Sequence, residues 1–98
     1  MIPGGAGPAL RLTLYTRRDC HLCLQAHELL ARLQGEGASF SLEEIDVDGS
    51  PALRDRFGLE VPVLCAGERR IAKGRFDEGR LRRRFGIPAR PPQRSTTL

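Results

Sequence analysis

Two neighbouring segments carry the clearest hydrophobic patterns in the chain. Between positions 10 and 15 apolar and polar residues alternate, and this period of two with β-forming side chains predicts a strand. From Leu22 to Leu33 the apolar residues recur every three to four positions, which is the spacing of one face of a helix. Gly35 is expected to end this helix in the left-handed conformation. The domain is therefore predicted to begin with a strand that leads directly into a helix.

The middle of the chain predicts a second strand and a short helix. Apolar residues spread over positions 40–45 mark the strand, which ends in the acidic segment 46–48. Ser50 followed by Pro51 is typical of a helix N-cap with proline at the first helical position. Gly58 is expected to close this short helix.

The last third of the chain predicts a hairpin and a final helix. The apolar run 61–65 predicts a strand, and Gly67 offers a turn into another strand around Ile71. Asp77 is expected to cap the last helix, which Gly86 ends. Because a helix joins the first two strands, they are predicted to be parallel, whereas the short turn makes the last two antiparallel. The predicted fold class is α/β, in the order β-α-β-α-β-β-α with one mixed four-stranded sheet.

The length and the ends of the chain bound its organisation. A chain of 98 residues suits one domain with a modest core. Residues 1–8 are rich in glycine and proline and are predicted to form a flexible N-terminal arm, and residues 88–98 a flexible C-terminal tail, which leaves 9–87 as the folded domain. Neither a secretory signal nor an apolar stretch near the roughly 20 residues of a membrane span is expected. Three cysteines do not suit a secreted disulfide scaffold, so a cytoplasmic location is predicted.

The basic residues are almost all arginine and give the chain a net charge of +4. Most of them are scattered among acids, so no nucleic-acid partner is predicted, and no membrane partner is expected either. The densest group is expected to be a solvated helix end, where cations suit the helix dipole, in preference to the alternative of a binding patch; it comprises Arg80, Arg82, Arg83 and Arg84. The chain is predicted to act as a monomer.

Two cysteines, Cys20 and Cys23, stand where the first strand ends and the helix begins. Residues three apart on a helix have Cβ atoms about 5–6 Å apart, so a small adjustment reaches the roughly 4 Å of a disulfide. At the helix start, unpaired backbone N–H groups and the positive end of the dipole stabilise a thiolate. Arg17 and Arg18 add positive charge, whereas Asp19 opposes them. Cys20 is therefore the predicted nucleophile, and Cys23, one turn into the helix, the predicted resolving thiol.

Other uses of a closely spaced cysteine pair fit this sequence less well. A zinc site needs four ligands, and no second pair is present, since His27 and Cys65 stand apart in the sequence. A c-type haem needs histidine directly after the second cysteine, where this chain has Leu24. A structural disulfide across one helical turn stabilises little, because it closes almost no loop. Reversible thiol–disulfide exchange is therefore predicted, with no metal site, and Cys65 is expected to pack in the core.

Four segments follow one another in a characteristic order and spacing: LTLYTRRDCHLC, EEIDVD, EVPVL and GRFDEGRL. In these segments the chain resembles the small bacterial glutaredoxin-like proteins of the thioredoxin superfamily, and the resemblance covers residues 10–86. It implies a thioredoxin-like fold. It also implies a cis peptide bond between Val61 and Pro62 that faces the active cysteines and exposes neighbouring backbone groups to a substrate's chain.

The same resemblance implies glutathione as a co-substrate, with no permanently bound cofactor. Glutaredoxins hold glutathione with a basic residue before the first cysteine, which is Arg17 here, and with the backbone beside the proline, which is Val61. A glycine-rich turn at the last helix completes such a site. Gly74 and Asp77 match that turn, but Arg75 replaces its second glycine. Glutathione or protein disulfides are the implied partners.

The residues between and beneath the cysteines depart from the related families. His21 and Leu22 stand where glutaredoxins usually have Pro-Tyr, and Leu14 occupies the strand position of the buried acid of thioredoxin. Two interpretations of His21 stay open. As a substrate-binding residue between the thiols it favours the thiolate, as a histidine does in strongly oxidising members of the superfamily, or it is an exposed side chain at a helix start.

Two functions fit these observations. The first is a thiol–disulfide oxidoreductase, in which Cys20 attacks a disulfide or glutathione mixed disulfide and Cys23 resolves the intermediate. The second is a non-catalytic thioredoxin-fold module that binds a partner or senses redox state through the same pair. A turnover assay with glutathione and its reductase distinguishes the two.

Overall fold

The element order agrees with the one that the sequence predicts. The computed structural model describes residues 10–88, so the predicted arm 1–8 and all but the first residue of the predicted tail 88–98 lie outside the described residues. The elements of the described part are β1 (Arg11–Thr16), α1 (His21–Gly35), β2 (Ser41–Asp46), a 3₁₀ turn (Val47–Gly49), α2 (Pro51–Phe57), β3 (Val63–Ala66), β4 (Arg69–Lys73) and α3 (Glu78–Phe85).

The four strands form one mixed sheet in the order β2-β1-β3-β4. β1 runs parallel to β2, with Leu14 opposite Glu44, and antiparallel to β3, with Tyr15 opposite Val63. β3 and β4 form the antiparallel hairpin, with one irregularity of register. The predicted α/β class and the mixed four-stranded sheet are confirmed, and β2 and β4 form the two edges.

Two apolar clusters on opposite faces of the sheet hold the layers together. Successive residues of a strand point to opposite faces, and accordingly Leu64 belongs to one cluster and its neighbour Val63 to the other. The larger cluster packs α1 and α3 on one face, and the smaller one packs α2 on the other. Leu30 in the larger cluster has no exposed surface, and full burial of such a side chain contributes about 1.5–3 kcal/mol. The core therefore fixes β1 against α1, and with them the loop that joins the two.

The ends of α1 differ from the prediction. The helix begins at His21, one residue earlier than the apolar pattern indicates. Gly35 is its last helical residue, so the prediction of a left-handed Gly35 was wrong; the left-handed glycine is Gly37, with a φ of 111°. The Ala38 N–H donates to the Leu33 carbonyl at 2.9 Å and closes the end. Either glycine permits the turn, and the packing of the following segment decides which one adopts it.

One arginine near the end of α3 is buried, contrary to the prediction of a solvated helix end. The Arg82 side chain is 4% exposed, and its guanidinium pairs with Glu36 at 2.8 Å and with Glu78 at 2.9 Å. It also donates to the Pro88 carbonyl at 2.9 Å. The hydrogen bond to Glu36 raises the pKa of Arg82 above its ordinary value. Arg82 faces the C-cap of α1, so only the other three arginines of the group are exposed; they are Arg80, Arg83 and Arg84.

Candidate active site

The cysteine pair lies at the junction of β1 and α1 and is closed as a disulfide, with the two Cα atoms 5.2 Å apart. Cys20 is the N-cap of α1, and its Sγ accepts a hydrogen bond from the Cys23 backbone N–H at 3.1 Å. Cys20 is half-buried, whereas Cys23 is only 4% exposed. The sulfur that solvent reaches is therefore the one at the helix N-terminus, and the inner sulfur is covered.

The loop before the cysteines turns the chain from β1 into α1 in three residues, Arg17 to Asp19. Asp19 has a left-handed backbone with a φ of 55°, a conformation that aspartate adopts more readily than most residues other than glycine. Cys20 follows in extended backbone, with φ −108° and ψ 108°, which is typical of an N-cap. This turn places the Cys20 sulfur over the first N–H groups of α1.

Arg17, the residue that the resemblance assigns to a glutathione carboxylate, already has a carboxylate partner. Its Nε and Nη2 donate to Asp48 at 3.1 and 3.0 Å, and its Nη1 donates to the Gly58 carbonyl at 3.2 Å. The hydrogen bond from Arg17 lowers the pKa of Asp48 below its ordinary value, and the same bond raises the pKa of Arg17. Arg17 therefore ties the loop before Cys20 to the 3₁₀ turn and to the end of α2.

The segment before β3 contributes backbone next to the cysteine loop. The peptide bond between Val61 and Pro62 is cis, as the resemblance implied. Pro62 directly precedes β3, whose first residue pairs with Tyr15 near the end of β1. The Pro62 carbonyl accepts a hydrogen bond from the Gly74 N–H at 2.8 Å. The structure therefore brings Val61, Pro62 and Gly74 together, beside the end of β1 that leads to the cysteines.

A small cleft of about 270 Å³ lies between α1 and the turn that joins β4 to α3. Leu22, Gly74 and Arg75 all line it. Asp77 does not: its Oδ1 accepts the Arg80 backbone N–H at 3.1 Å as the N-cap of α3, and its side chain lines a neighbouring groove between β4 and α3. Of the residues that the resemblance assigns to glutathione, only Gly74 borders this small cleft.

His21 lies at the surface, on the first turn of α1. The Gln25 amide nitrogen donates to His21 Nε2 at 3.1 Å, across one helical turn. His21 also lines an open cleft of about 680 Å³ together with both cysteines. Its effect on the thiolate stays a prediction.

A histidine–carboxylate pair lies in the same open cleft, and the sequence pattern did not predict it. His27 on α1 is hydrogen-bonded through Nδ1 to the carboxylate of Glu44 on β2, and both residues line the cleft with Cys20 and Cys23. Glu44 stands opposite Leu14, which lies on the face of the sheet that α1 covers. His27 stands apart from the pair in the sequence, but it follows Cys23 by four residues and so shares its side of the helix. That spacing was the available signal.

The third cysteine lies on the other face of the sheet. Cys65 is 5% exposed and packs in the smaller cluster with Phe57 and Val63, so its predicted place in the core is confirmed. Burial raises the pKa of its thiol above the ordinary value. Cys65 is therefore a protonated, covered thiol at neutral pH.

Metal ligands and membrane spans were searched over residues 10–88. The His, Cys, Asp and Glu side chains of that range form no group of three or more suited to a metal ion. No helix of the same range combines the length and the apolar character needed to cross a bilayer.

The sequence of the site and its surroundings matches a known family. Residues 11–86 fit the profile of the glutaredoxin-like domain (DUF836). The chain belongs to this family. A Mycobacterium tuberculosis relative, named only as an uncharacterized protein, is 38% identical over 77 residues, which cover 74% of this chain and 78% of the relative. A Dictyostelium discoideum protein named as glutaredoxin-like is 32% identical over 78 residues, 74% of this chain and 72% of the relative.

Solved structures share the fold of this glutaredoxin-like chain. A structural genomics target protein from X. campestris is 41% identical with a TM-score of 0.62, and the match covers 76% of this chain and 95% of that one. A mutant thioredoxin from Halobacterium salinarum, 24% identical with a TM-score of 0.57, matches over 86% of this chain and 80% of its own. The protein therefore has the thioredoxin fold, and the resemblance read from the sequence is confirmed.

Proposed function

We propose that this protein is a thiol–disulfide oxidoreductase that reduces disulfides, or mixed disulfides of glutathione, with the dithiol of Cys20 and Cys23. The observation that supports it most directly is the position of the Cys20 sulfur as the N-cap of α1. There it accepts the Cys23 N–H at 3.1 Å, and the N-terminus of a 15-residue helix stabilises negative charge on it. Cys20 is therefore the group that reacts first, as a thiolate, while the covered Cys23 waits as a thiol.

The proposed reaction moves two electrons from the dithiol to the substrate. The Cys20 thiolate attacks one sulfur of the substrate disulfide, the substrate S–S bond breaks, and one substrate thiolate leaves. The Cys23 thiol then loses its proton and attacks the Cys20 sulfur, which breaks the mixed disulfide and releases the second thiolate. The released thiolates take up protons from Cys23 and from solvent. The closed pair of this structure corresponds to the oxidised product.

His27 is the proposed acceptor of the Cys23 proton. Glu44 engages its Nδ1, which leaves Nε2 as the ring nitrogen available for the proton. The Glu44 carboxylate then stabilises the imidazolium that forms, as an acidic partner does for other catalytic histidines. Leu14, which is fully buried, occupies the position of the buried acid of thioredoxin. Its hydrocarbon side chain cannot accept a proton. In this chain we therefore assign the role of proton acceptor to His27 on α1, supported by Glu44 on the edge strand β2.

Glutathione is the proposed reductant, and we expect it to bind weakly. Arg75 beside the small cleft offers a cation for a carboxylate. Val61 lies outside the β3 ladder, two residues before the strand that pairs with the end of β1. Arg17, in contrast, is engaged by Asp48, and the side chain of Arg75 occupies space that a glycine leaves open. A reducing compartment such as the cytoplasm keeps the dithiol in its active form.

The test is turnover of a small disulfide in the presence of glutathione and glutathione reductase, followed through NADPH. Wild-type protein is expected to turn over, and Cys20→Ser to abolish both turnover and rapid alkylation by iodoacetamide. Cys23→Ser should keep the alkylation and accumulate a glutathione adduct on Cys20, detected by mass spectrometry. Cys65→Ala is the matched control, since it removes a cysteine outside the pair. No turnover and no adduct, with normal alkylation of Cys20, would leave the non-catalytic binding or redox-sensing module as the function.

A further inference from the structure

A groove of about 610 Å³ between β4 and α3 is lined mainly by cations. The positively charged side chains are all exposed; they are Arg70, Lys73, Arg75, Arg80, Arg83 and Arg84. Asp77 is the one acidic residue of the described lining, and its Oδ1 is already used to cap α3. The groove therefore carries a strong excess of positive charge. Three of its arginines, Arg80, Arg83 and Arg84, belong to the group that the sequence predicted to be a solvated helix end.

Within residues 10–88, most of this charge has no acidic partner. Glu60 pairs with Arg70 at 2.5 Å and with Lys73 at 3.7 Å, and the Arg70 guanidinium lies over the Phe57 ring, in the cluster on the face of the sheet opposite α3. Glu78, the acid in the first turn of α3, pairs instead with the buried Arg82. Among the described residues, no salt bridge reaches the remaining arginines of the groove, Arg75, Arg80, Arg83 and Arg84. Like charges held this close repel one another, and a bound anion relieves that repulsion.

The shape of the groove favours an extended polypeptide. β4 is an edge strand, so its outer backbone groups have no partner strand within the sheet, and four consecutive residues, 70–73, line the groove. An added strand pairs with such an edge through main-chain hydrogen bonds. Carboxylates along that added chain then meet the guanidinium groups of α3. Among the described residues of the lining there is no aromatic side chain on which the bases of a single-stranded nucleic acid would stack.

The groove leads towards the cysteine pair. Arg75 lines both this groove and the small cleft beside α1, and Leu22 lines that cleft from the other side. Leu22 lies between Cys20 and Cys23 in the chain. The small cleft therefore lies between the groove and the turn of α1 that carries the cysteines.

We propose that the β4–α3 groove binds an extended, acidic segment of a protein substrate, and so selects proteins whose reactive disulfide lies near a run of Asp and Glu. The selection of a redox substrate rests on the proposed function, whereas the binding of the acidic segment does not. The two parts are accordingly tested by separate measurements.

Binding is measured first, without thiol chemistry, on full-length Cys20→Ser/Cys23→Ser protein. The probes are a fluorescent peptide rich in Asp and Glu and its counterpart with Asn and Gln. The acidic peptide is expected to bind, more weakly as salt is raised, and the neutral one is not. Arg80→Gln/Arg84→Gln should weaken the binding by about 3- to 10-fold, the effect of two exposed ion pairs. Arg11→Gln/Arg56→Gln removes the same charge from exposed arginines outside the groove and should change the affinity less than about 2-fold.

Reduction is measured second, on active protein, with the same two peptides carried as mixed disulfides. Wild-type protein is expected to show a higher kcat/KM for the acidic peptide, and Arg80→Gln/Arg84→Gln to lose that preference while its rate on the neutral peptide is unchanged. Equal affinity of the two peptides for wild-type protein contradicts the proposal that the groove binds an acidic segment. Tighter binding of an oligonucleotide of equal charge also overturns it, in favour of a nucleic-acid surface. Binding of the acidic peptide without reduction of either mixed disulfide contradicts the proposed function but supports the groove as a binding site for acidic segments.

Discussion

His27 on α1 and Glu44 on β2 form a hydrogen bond that connects the helix of the cysteines to the edge strand of the sheet. The two residues are separated by 17 positions in the sequence, yet both line the cleft of Cys20 and Cys23. The bond uses Nδ1, so Nε2 is the nitrogen that remains for proton exchange. Because His27 and Cys23 stand four residues apart on α1 and line the same cleft, this hydrogen bond supports His27 as the proposed acceptor of the Cys23 proton.

Replacement of His27 by alanine is expected to slow the second step of the reaction and not the first. In stopped-flow mixing of reduced protein with a disulfide, attack by Cys20 should keep its rate within about 2-fold. Resolution by Cys23 should slow by about 100-fold at neutral pH, the lower range for loss of a general base. The deficit should shrink as the pH rises, because hydroxide then removes the proton directly.

Two substitutions on β2 provide the controls for His27. Glu44→Gln keeps a hydrogen-bonding partner for Nδ1 but removes the charge, so resolution should slow less than in His27→Ala. Glu43→Gln changes the exposed neighbouring glutamate, which does not line the cleft, and should leave both steps unchanged. Equal slowing of both steps in His27→Ala, at every pH, would indicate damage to the fold and contradict the proton-transfer role.

The sequence predicts the parts of this site that are local in the chain. The alternation before Arg17 and the helical spacing after Cys20 each depend on a few adjacent residues, and the structure confirms the strand and the helix that they indicate. The cis bond before Pro62 is also confirmed, but the family resemblance implied it, not the local pattern. The contact of His27 with Glu44 depends on the parallel pairing of β1 with β2, which sets the face and the height of each residue. No local pattern contains that information.

The pairing of charged residues across the fold could not be predicted from the sequence either. Arg82 and its neighbours look alike in the sequence, but tertiary packing buries the first against Glu36 and Glu78 and leaves the others on the surface. The identity of Asp48 as the partner of Arg17 likewise depends on a turn that lies 31 residues further along the chain. Pairings across the fold, and not residue types, decide which cations are free to bind a substrate.

Cys65 is expected to resist a bulky thiol reagent in the native, reduced protein. It is 5% exposed, so a bulky reagent does not reach the sulfur. Burial also raises the pKa of its thiol, so the reactive thiolate is scarce. Cys65 should therefore react only after unfolding, as counted with the reagent in the absence and presence of denaturant. Reaction of Cys65 as fast as Cys20 in native protein would refute this.

The same raised pKa predicts a loss of stability in alkaline solution. The unfolded thiol ionises near its ordinary value of 9.0, whereas the folded thiol keeps its proton to higher pH. Above that pH the unfolded state binds fewer protons than the folded state, so the free energy of unfolding falls as the pH rises. Cys65→Ala removes this contribution, and its unfolding free energy should depend less on pH in that range, as denaturant titrations of both proteins will show.

Among the arginines of α3, Arg82 is expected to be the one whose loss destabilises the fold. Arg82→Leu leaves Glu36 and Glu78 close together without their shared cation and frees the Pro88 carbonyl. We expect the melting temperature to fall by about 5 °C or more, since small domains respond steeply to lost interactions. Arg83→Leu at the exposed neighbouring position should change it by less than about 2 °C. Similar melting temperatures for the two variants would contradict a structural role for the buried pair.

Asp48 is expected to limit the affinity for glutathione by holding Arg17. Asp48→Asn removes the charge that pairs with the guanidinium, so Arg17 becomes available to a carboxylate of glutathione at the cysteine cleft. The KM for a glutathione mixed disulfide should fall by about 2- to 5-fold, the worth of one exposed ion pair, with kcat little changed. Asp55→Asn, an equal charge change on the exposed face of α2, is the control.

Asp48→Asn also has an independent signature in the acid stability of the protein. The pKa of Asp48 is lowered in the folded state, so its ionisation stabilises the fold above the ordinary value of 3.8. This contribution is lost as the pH falls through the lower folded value, so Asp48→Asn should be less sensitive to acid than wild type. A flatter acid profile with an unchanged or higher KM would show that the pair is purely structural and that Arg17 does not bind glutathione.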